Sequence, residues 1–390
     1  MNIKLKAIIM VIATFFMVGC TSQKEKVYNE QKQVNGETHN SSHENNDGSL
    51  ASKLEEEHKD EGADKEQKPV EMVDFVGNAE HLFFHPLIAY NELAFDGDSK
   101  TQGMDDWFVT VKEFKSVLEQ LYKNNYILID IESIYSLNNE NNKMERKSIK
   151  IPKGKKPIIL SIDDMNYYDY MRKDGTIHKL ILDHEGKVAA YTKGENGEDI
   201  ISYDNSIVPI LDNFVEKYPD FSLDGVKATI GLTGYEGILG YRTQRDSNNR
   251  QQEIEKVMPL VKTLKENGWK FASHSYGHPD VSSISLSKLK DDTDKWEREV
   301  KSLIGETSVY IYPFGSSVPY RDPKFQYLKN KGFSIFCAVG PISYEELYKD
   351  VAQTDRRHCD GITLRNQREK YLDLYDAKEI LDIEGRKVIK

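Results

Sequence analysis

Two periodicities alternate along most of this chain. Short apolar runs over residues 81–90, 126–131, 157–162, 226–232, 269–273, 307–312 and 333–339 read as strands. The short, largely apolar run 157–162 reads as a strand buried on both faces. Between the runs, apolar residues recur three and four apart. Phe114, Val117, Leu118 and Leu121 mark a helix over 109–122, and further helices are predicted over 208–218, 252–266 and 286–304. Asp322 and Pro323 supply a cap and a first turn for another. Strand and helix in strict alternation predict an α/β fold with a parallel sheet. Several units in a row predict a closed or partly closed (β/α) barrel, its site at the C-terminal ends of the strands.

The pattern breaks in three places. At the start, Lys4 and Lys6 precede an apolar run over 7–18 that is short for a bilayer span and stops at Gly19-Cys20. This resembles a bacterial lipoprotein signal. It implies cleavage after residue 19, acylation of Cys20, and anchorage at the outer face of the cell membrane. From 21 to 70 the chain carries seven Lys against twelve Asp and Glu, with Tyr28 as its one aromatic residue. Such a segment cannot build a core, so residues 20–77 are expected to be a disordered acidic tether and 78–390 the catalytic domain. The third break is an insertion over about 166–220. It has a predicted hairpin at 179–191 and the tyrosines Tyr167, Tyr168, Tyr170 and Tyr191, whose rings are candidates to wall a sugar-binding groove.

Length and charge narrow the class. The 390 residues suffice for one large domain with appendages, and a net charge of −11 offers no basic face to nucleic acid. A monomer is expected. With Cys20 taken by lipid, Cys337 and Cys359 remain, and spacing does not imply a disulfide between them.

The chemistry gathers at two strand ends. Asp163 and Asp164 close the run 157–162, and two adjacent carboxylates there suit either a solvated turn or a division of labour. In the second case one carboxylate binds a metal and the other takes a proton. His274 and His278 lie four apart, but Gly277 and Pro279 argue against a helix and for a loop following the strand 269–273. Two surface imidazoles in a polar turn fit the same spacing. With one carboxylate, the pair makes a three-ligand site for a divalent metal, zinc by default, with cobalt, nickel or iron also suited.

Three motifs in order resemble the polysaccharide deacetylases, the NodB-homology or carbohydrate esterase family four. They are Ser161-Ile162-Asp163-Asp164, Ser273-His274-Ser275-Tyr276-Gly277-His278-Pro279 and Tyr312-Pro313-Phe314-Gly315. The resemblance spans about residues 80–340 and implies a distorted barrel of that family's type. The strand-helix-strand unit over 81–131 looks like the N-terminal extension of its extracellular members. It also implies roles: Asp163 as general base, Asp164, His274 and His278 as metal ligands, and the Phe314 backbone N–H toward the oxyanion. His85, Tyr168 and Pro313 become candidate substrate contacts. The sequence departs from the family twice. Ile311 stands where an Arg usually orients the base, and the C-terminal His that serves as acid is not visible as a motif. Arg321, Arg356, Arg357 and His358 are nearby replacements, with His358 the candidate acid in a loop before a predicted strand at 361–364. The leading reading is a metal-dependent N-deacetylase of an acetylated glycan, peptidoglycan or an exopolysaccharide. The alternatives are a non-catalytic metal- or glycan-binding lipoprotein, or a hydrolase of another non-peptide C–N bond.

Overall fold

Six of the apolar runs, with one further strand over 351–358, fold into strands that close on one another. In the computed structural model, which describes residues 70–138 and 140–388, these are β1 (Glu80–Phe84), β2 (Lys156–Ile162), β3 (Thr229–Leu232), β4 (Lys270–Ser273), β5 (Val309–Ile311), β6 (Ile335–Val339) and β7 (Val351–His358). Each pairs in parallel with the next in chain order, β7 pairs with β1, and the ring is closed. The ring is distorted at β2. Its first residues pair with an outlying strand, Tyr126–Leu128, and only its last two, Ser161 and Ile162, pair with β3.

Alternation along the strands sorts side chains into two cores. Ile159, Ala272, Val309, Ile311, Ile335, Cys337 and Ala352 fill the lumen. Leu82, Phe84, Leu160, Ile162, Ile230 and Leu232 face outward against Val117, Leu211, Val261 and Trp296 of the surrounding helices. Along β2, Ile159 points in, Leu160 out, Ser161 in and Ile162 out, so the next inward residue is Asp163. The lumen is therefore apolar at its floor and turns polar at the C-terminal mouth.

The predicted helices form as Val111–Lys123, Ile207–Lys217, Arg250–Glu266, Leu286–Trp296 and Pro323–Asn330. Val111–Lys123 starts at a capping box in which Thr110 accepts from the Glu113 N–H and Glu113 reaches back to the Thr110 N–H. Leu286–Trp296 runs on through a π turn, Glu297–Lys301, to Ile304.

Several expectations are corrected. The run 81–90 is a strand only to Phe84, because Pro86 has no N–H to continue a ladder. That strand is no outlying extension, since it sits in the ring between β7 and β2. Residues 361–364 belong to a helix, Gly361–Asn366, capped by Asp360 through the Thr363 N–H. The strand lies before it, so His358 ends β7 and is not in a loop. The folded chain begins ahead of residue 78, because Met72–Phe75 pairs with Ile149–Pro152. The insertion holds three antiparallel strands, Lys179–Leu182, Val188–Lys193 and Asp199–Ser202, one more than a hairpin. Cys337 faces the lumen and Cys359 the outer core, and both are free thiols. The predicted signal, Cys20 and the tether up to residue 69 lie outside the described residues.

Candidate active site

Asp163 leaves β2 inward, its N–H bonded to the Phe84 carbonyl at 2.9 Å. Its partner comes from across the lumen. Arg356, on β7 and with no exposed surface, donates through Nη1 to Oδ1 at 2.7 Å and through Nη2 to Oδ2 at 2.8 Å. Nη1 also reaches Ser161 Oγ at 3.1 Å, Nε reaches the Ala338 carbonyl at 3.3 Å, and the guanidinium lies 4.1 Å over the Phe83 ring. Ser161 Oγ is in turn 3.0 Å from His81 Nε2. A fork with both tines on one carboxylate fixes the acid's plane as well as its charge. Burial pushes the Asp163 carboxyl up, but Arg356, and after it His274, outweigh burial and hold the carboxyl below the ordinary range. Burial likewise pushes His81 well down, aided by Arg356, so that imidazole is neutral. β3 makes room with Gly231, where a Cβ would stand 3.1 Å from Ile311 Cδ1 and 3.3 Å from Asp163 Oδ1. Of the candidate replacements for the expected Arg, Arg356 is thus the one that reaches Asp163. Arg357, one residue on, faces the other way onto Glu80 and Asp373, and Arg321 is exposed.

Asp164, next in sequence, turns away from this pair with φ 59°. Its Oδ1 is 4.0 Å from His274 Nε2 and its Oδ2 3.8 Å from His278 Nε2. One ligand atom from each residue lies within 4.8 Å of the others. His274 Nδ1 is bonded to the Ile311 carbonyl at 3.0 Å, which leaves Nε2 as the lone-pair nitrogen facing the carboxylate. The Tyr168 hydroxyl donates to Asp164 Oδ1 at 2.6 Å and also meets Thr233 Oγ1 at 2.6 Å. One carboxylate oxygen and two imidazole nitrogens, the carboxylate oriented by Tyr168 and His274 by the Ile311 carbonyl, fit a divalent metal with positions left for water and substrate. Burial lowers the His274 pKa against the pull of Asp163 and Asp164. Asp164 itself is raised by burial but brought below the ordinary range by His278 and His274.

The remaining candidates divide. Phe314 takes φ 59° in the turn Pro313–Gly315, is 73% exposed, and sets its ring 4.5 Å from that of His278, while Pro313 beside it is buried. His85 follows β1, its ring 6.0 Å from that of Phe83 and 5.6 Å from that of Phe108. His358 is two residues beyond Arg356 on the same strand face, hence nearer the mouth. Its Nδ1 is 3.1 Å from Asp360 Oδ2 and its ring 4.6 Å from Phe83. Tyr168 departs from its expected place on a sugar-binding wall. It is buried, with its hydroxyl on Asp164 and its ring stacked against Tyr235 at 4.7 Å and Tyr170 at 6.0 Å. Tyr170 and Tyr235 are the partly exposed members of that stack. Tyr235 had no signal in the sequence beyond its position just after a barrel strand, between Gly234 and Gly237.

The polysaccharide deacetylase family model matches residues 225–336, which carry the His loop and the Pro313–Gly315 turn. An uncharacterised 30.6 kDa protein of Geobacillus stearothermophilus is 40% identical over 55 residues, 14% of this chain and 21% of that protein, so the chain spans about a fifth of that curated relative. Among solved structures, a polysaccharide deacetylase from Bacillus cereus aligns at 14% identity over 77% of this chain and 69% of that one, TM-score 0.41. A de-N-acetylase from Aggregatibacter actinomycetemcomitans aligns at 12% identity over 73% and 96%, TM-score 0.42. Residues 225–336 are thus similar to the polysaccharide deacetylase family, and they sit on a barrel whose mouth carries all three motifs.

Proposed function

We propose that this protein is a metal-dependent hydrolase that removes N-acetyl groups from an amino-sugar polymer, peptidoglycan or an exopolysaccharide. In this reading an acylated Cys20 tethers it to the outer face of the cell membrane. The observation that carries the activity is a carboxylate gripped by a buried guanidinium beside a separate Asp-His-His donor set. Asp164, His274 and His278 would hold the ion, which when bound supplies Lewis acidity toward the acyl oxygen and acidifies water to a pKa of roughly 7. Zinc, cobalt, nickel and iron all suit the ligands.

The chain's own groups do the rest. Asp163, kept ionised and oriented by Arg356, accepts a proton from water as its oxygen bonds to the acetyl carbon. The Phe314 N–H faces the oxygen that gains charge. His358, with Nδ1 beside Asp360, offers Nε2 to protonate the nitrogen as the C–N bond breaks, so that acetate and a sugar amine leave. Tyr170 and Tyr235 offer ring faces to the neighbouring sugar.

Acetate release from acetylated chito-oligosaccharides and from purified cell wall should be abolished by chelator and restored by zinc or cobalt. No release by the metal-loaded protein from any acetylated glycan would favour a binding protein instead. For the tether, Cys20→Ala should free the protein from the membrane fraction or leave an unprocessed precursor; wild-type fractionation and migration would exclude it.

A further inference from the structure

The loop that carries both histidines follows a path its own residues disfavour. Ser275 has φ 60° and His278 φ 53°, left-handed backbone that costs non-glycine residues of order 1–3 kcal/mol each. Such a path persists only when neighbours hold it. Here the grip comes from the helix that follows the loop. Asp292 Oδ2 accepts the Tyr276 N–H at 2.7 Å and Oδ1 accepts the Gly277 N–H at 2.8 Å, between the two strained residues. Glu299, buried in the π turn Glu297–Lys301, accepts the Tyr276 hydroxyl at 2.9 Å and the Arg245 N–H at 2.9 Å. π turns widen a helix locally and recur at functional sites. On its far side the Tyr276 carbonyl accepts the N–H groups of Gly234 at 2.9 Å and Tyr235 at 3.2 Å. Only glycine fits at 234, since a Cβ there would stand 2.5 Å from the Tyr276 ring.

We propose that Asp292, backed by Glu299, is a positioning residue for the metal site, fixing the path of the His loop so that His274 and His278 face Asp164 before an ion arrives. This rests on reading those three residues as metal ligands. A carboxylate suits the task because two successive N–H groups need two acceptors. Asn would supply one acceptor and turn an amide NH2 toward the other N–H, and Ala would supply none.

The test uses the chelated protein and three variants, Asp292→Ala, Asp292→Asn and Tyr276→Phe. Cobalt affinity is measured by chelator competition, amide exchange at Tyr276 and Gly277 in the metal-free state, and folding by thermal unfolding. Asp292→Ala should keep a cooperative transition, speed exchange at both amides and bind cobalt about 10- to 100-fold more weakly. Asp292→Asn should fall between it and wild type, and Tyr276→Phe should lose less. Should Asp292→Ala fail to fold, the other two variants decide. Unchanged cobalt affinity and exchange in folded variants would overturn the positioning role while leaving the metal reading intact. Wild-type protein that binds no cobalt would overturn both.

Discussion

Arg356→Met is the substitution that most directly tests how the Asp163 carboxylate is held. It leaves the Asp163 carboxylate in the lumen after removing two hydrogen bonds of 2.7 and 2.8 Å. Both side chains are almost wholly out of water, at 0% and 4% exposure, so solvent cannot take the guanidinium's place. Removing one partner of a buried pair costs about 3–5 kcal/mol, because the other charge stays behind unpaired. Against a typical total of about 5–15 kcal/mol this is a large fraction. Adding Asp163→Asn to Arg356→Met removes the stranded charge, so the double variant should regain much of the loss. The expected coupling is about 2–3 kcal/mol, at the high end for residues in contact. Arg356→Lys keeps a charge but loses the fork and should fall between wild type and Met.

Urea unfolding of chelated protein at neutral pH measures these three variants and the Asp163→Asn single variant that completes the cycle. The pH dependence has a definite sign. Because the folded pKa of Asp163 is lowered, the pair's contribution is present above the ordinary carboxylate pKa of 3.8 and is lost as pH falls toward the lower folded value. Arg356→Met should flatten that acid limb. Additive single and double effects, or a cost for Arg356→Met below about 1 kcal/mol, would refute the argument.

Two further expectations follow from other buried groups. Burial raises Asp212 to about 6 despite the bond from the Trp269 indole N–H, so its cost is absent below pH 3.8 and grows as pH rises through about 6. Asp212→Asn, which keeps an acceptor for Trp269, should stabilise by on the order of 2–3 kcal/mol at pH 8 and hardly at pH 4; an equal effect at both pH values would show that burial does not set this carboxyl. If His358 is the acid, His358→Gln should lower turnover by roughly 10²- to 10⁴-fold with metal content unchanged. Should His85→Gln show that loss and His358→Gln none, the acid would instead come from the end of β1.

Much of this protein is legible in short stretches of sequence. The seven runs and the helices between them follow from periodicities of two and 3.6, which are local, and both Asp163-Asp164 and the His loop are contiguous motifs. β7 resisted the same reading because both its faces are polar: Gln353, Asp355 and Arg357 on one, Thr354, Arg356 and His358 on the other. It has no apolar run, and the short apolar stretch after it drew the strand to the wrong place, although Asp360 with Thr363 three residues on is a helix-start signal. Closure of the ring decided the rest. Arg356 and Asp163 are 193 residues apart and Tyr168 and Thr233 are 65 apart, and no local pattern relates them. Only when β7 pairs with β1, and β1 with β2, does a guanidinium come from one strand to the carboxylate of another. Which Arg supports Asp163 depends on which side chains meet inside the lumen, and the lumen exists only once the strands have closed.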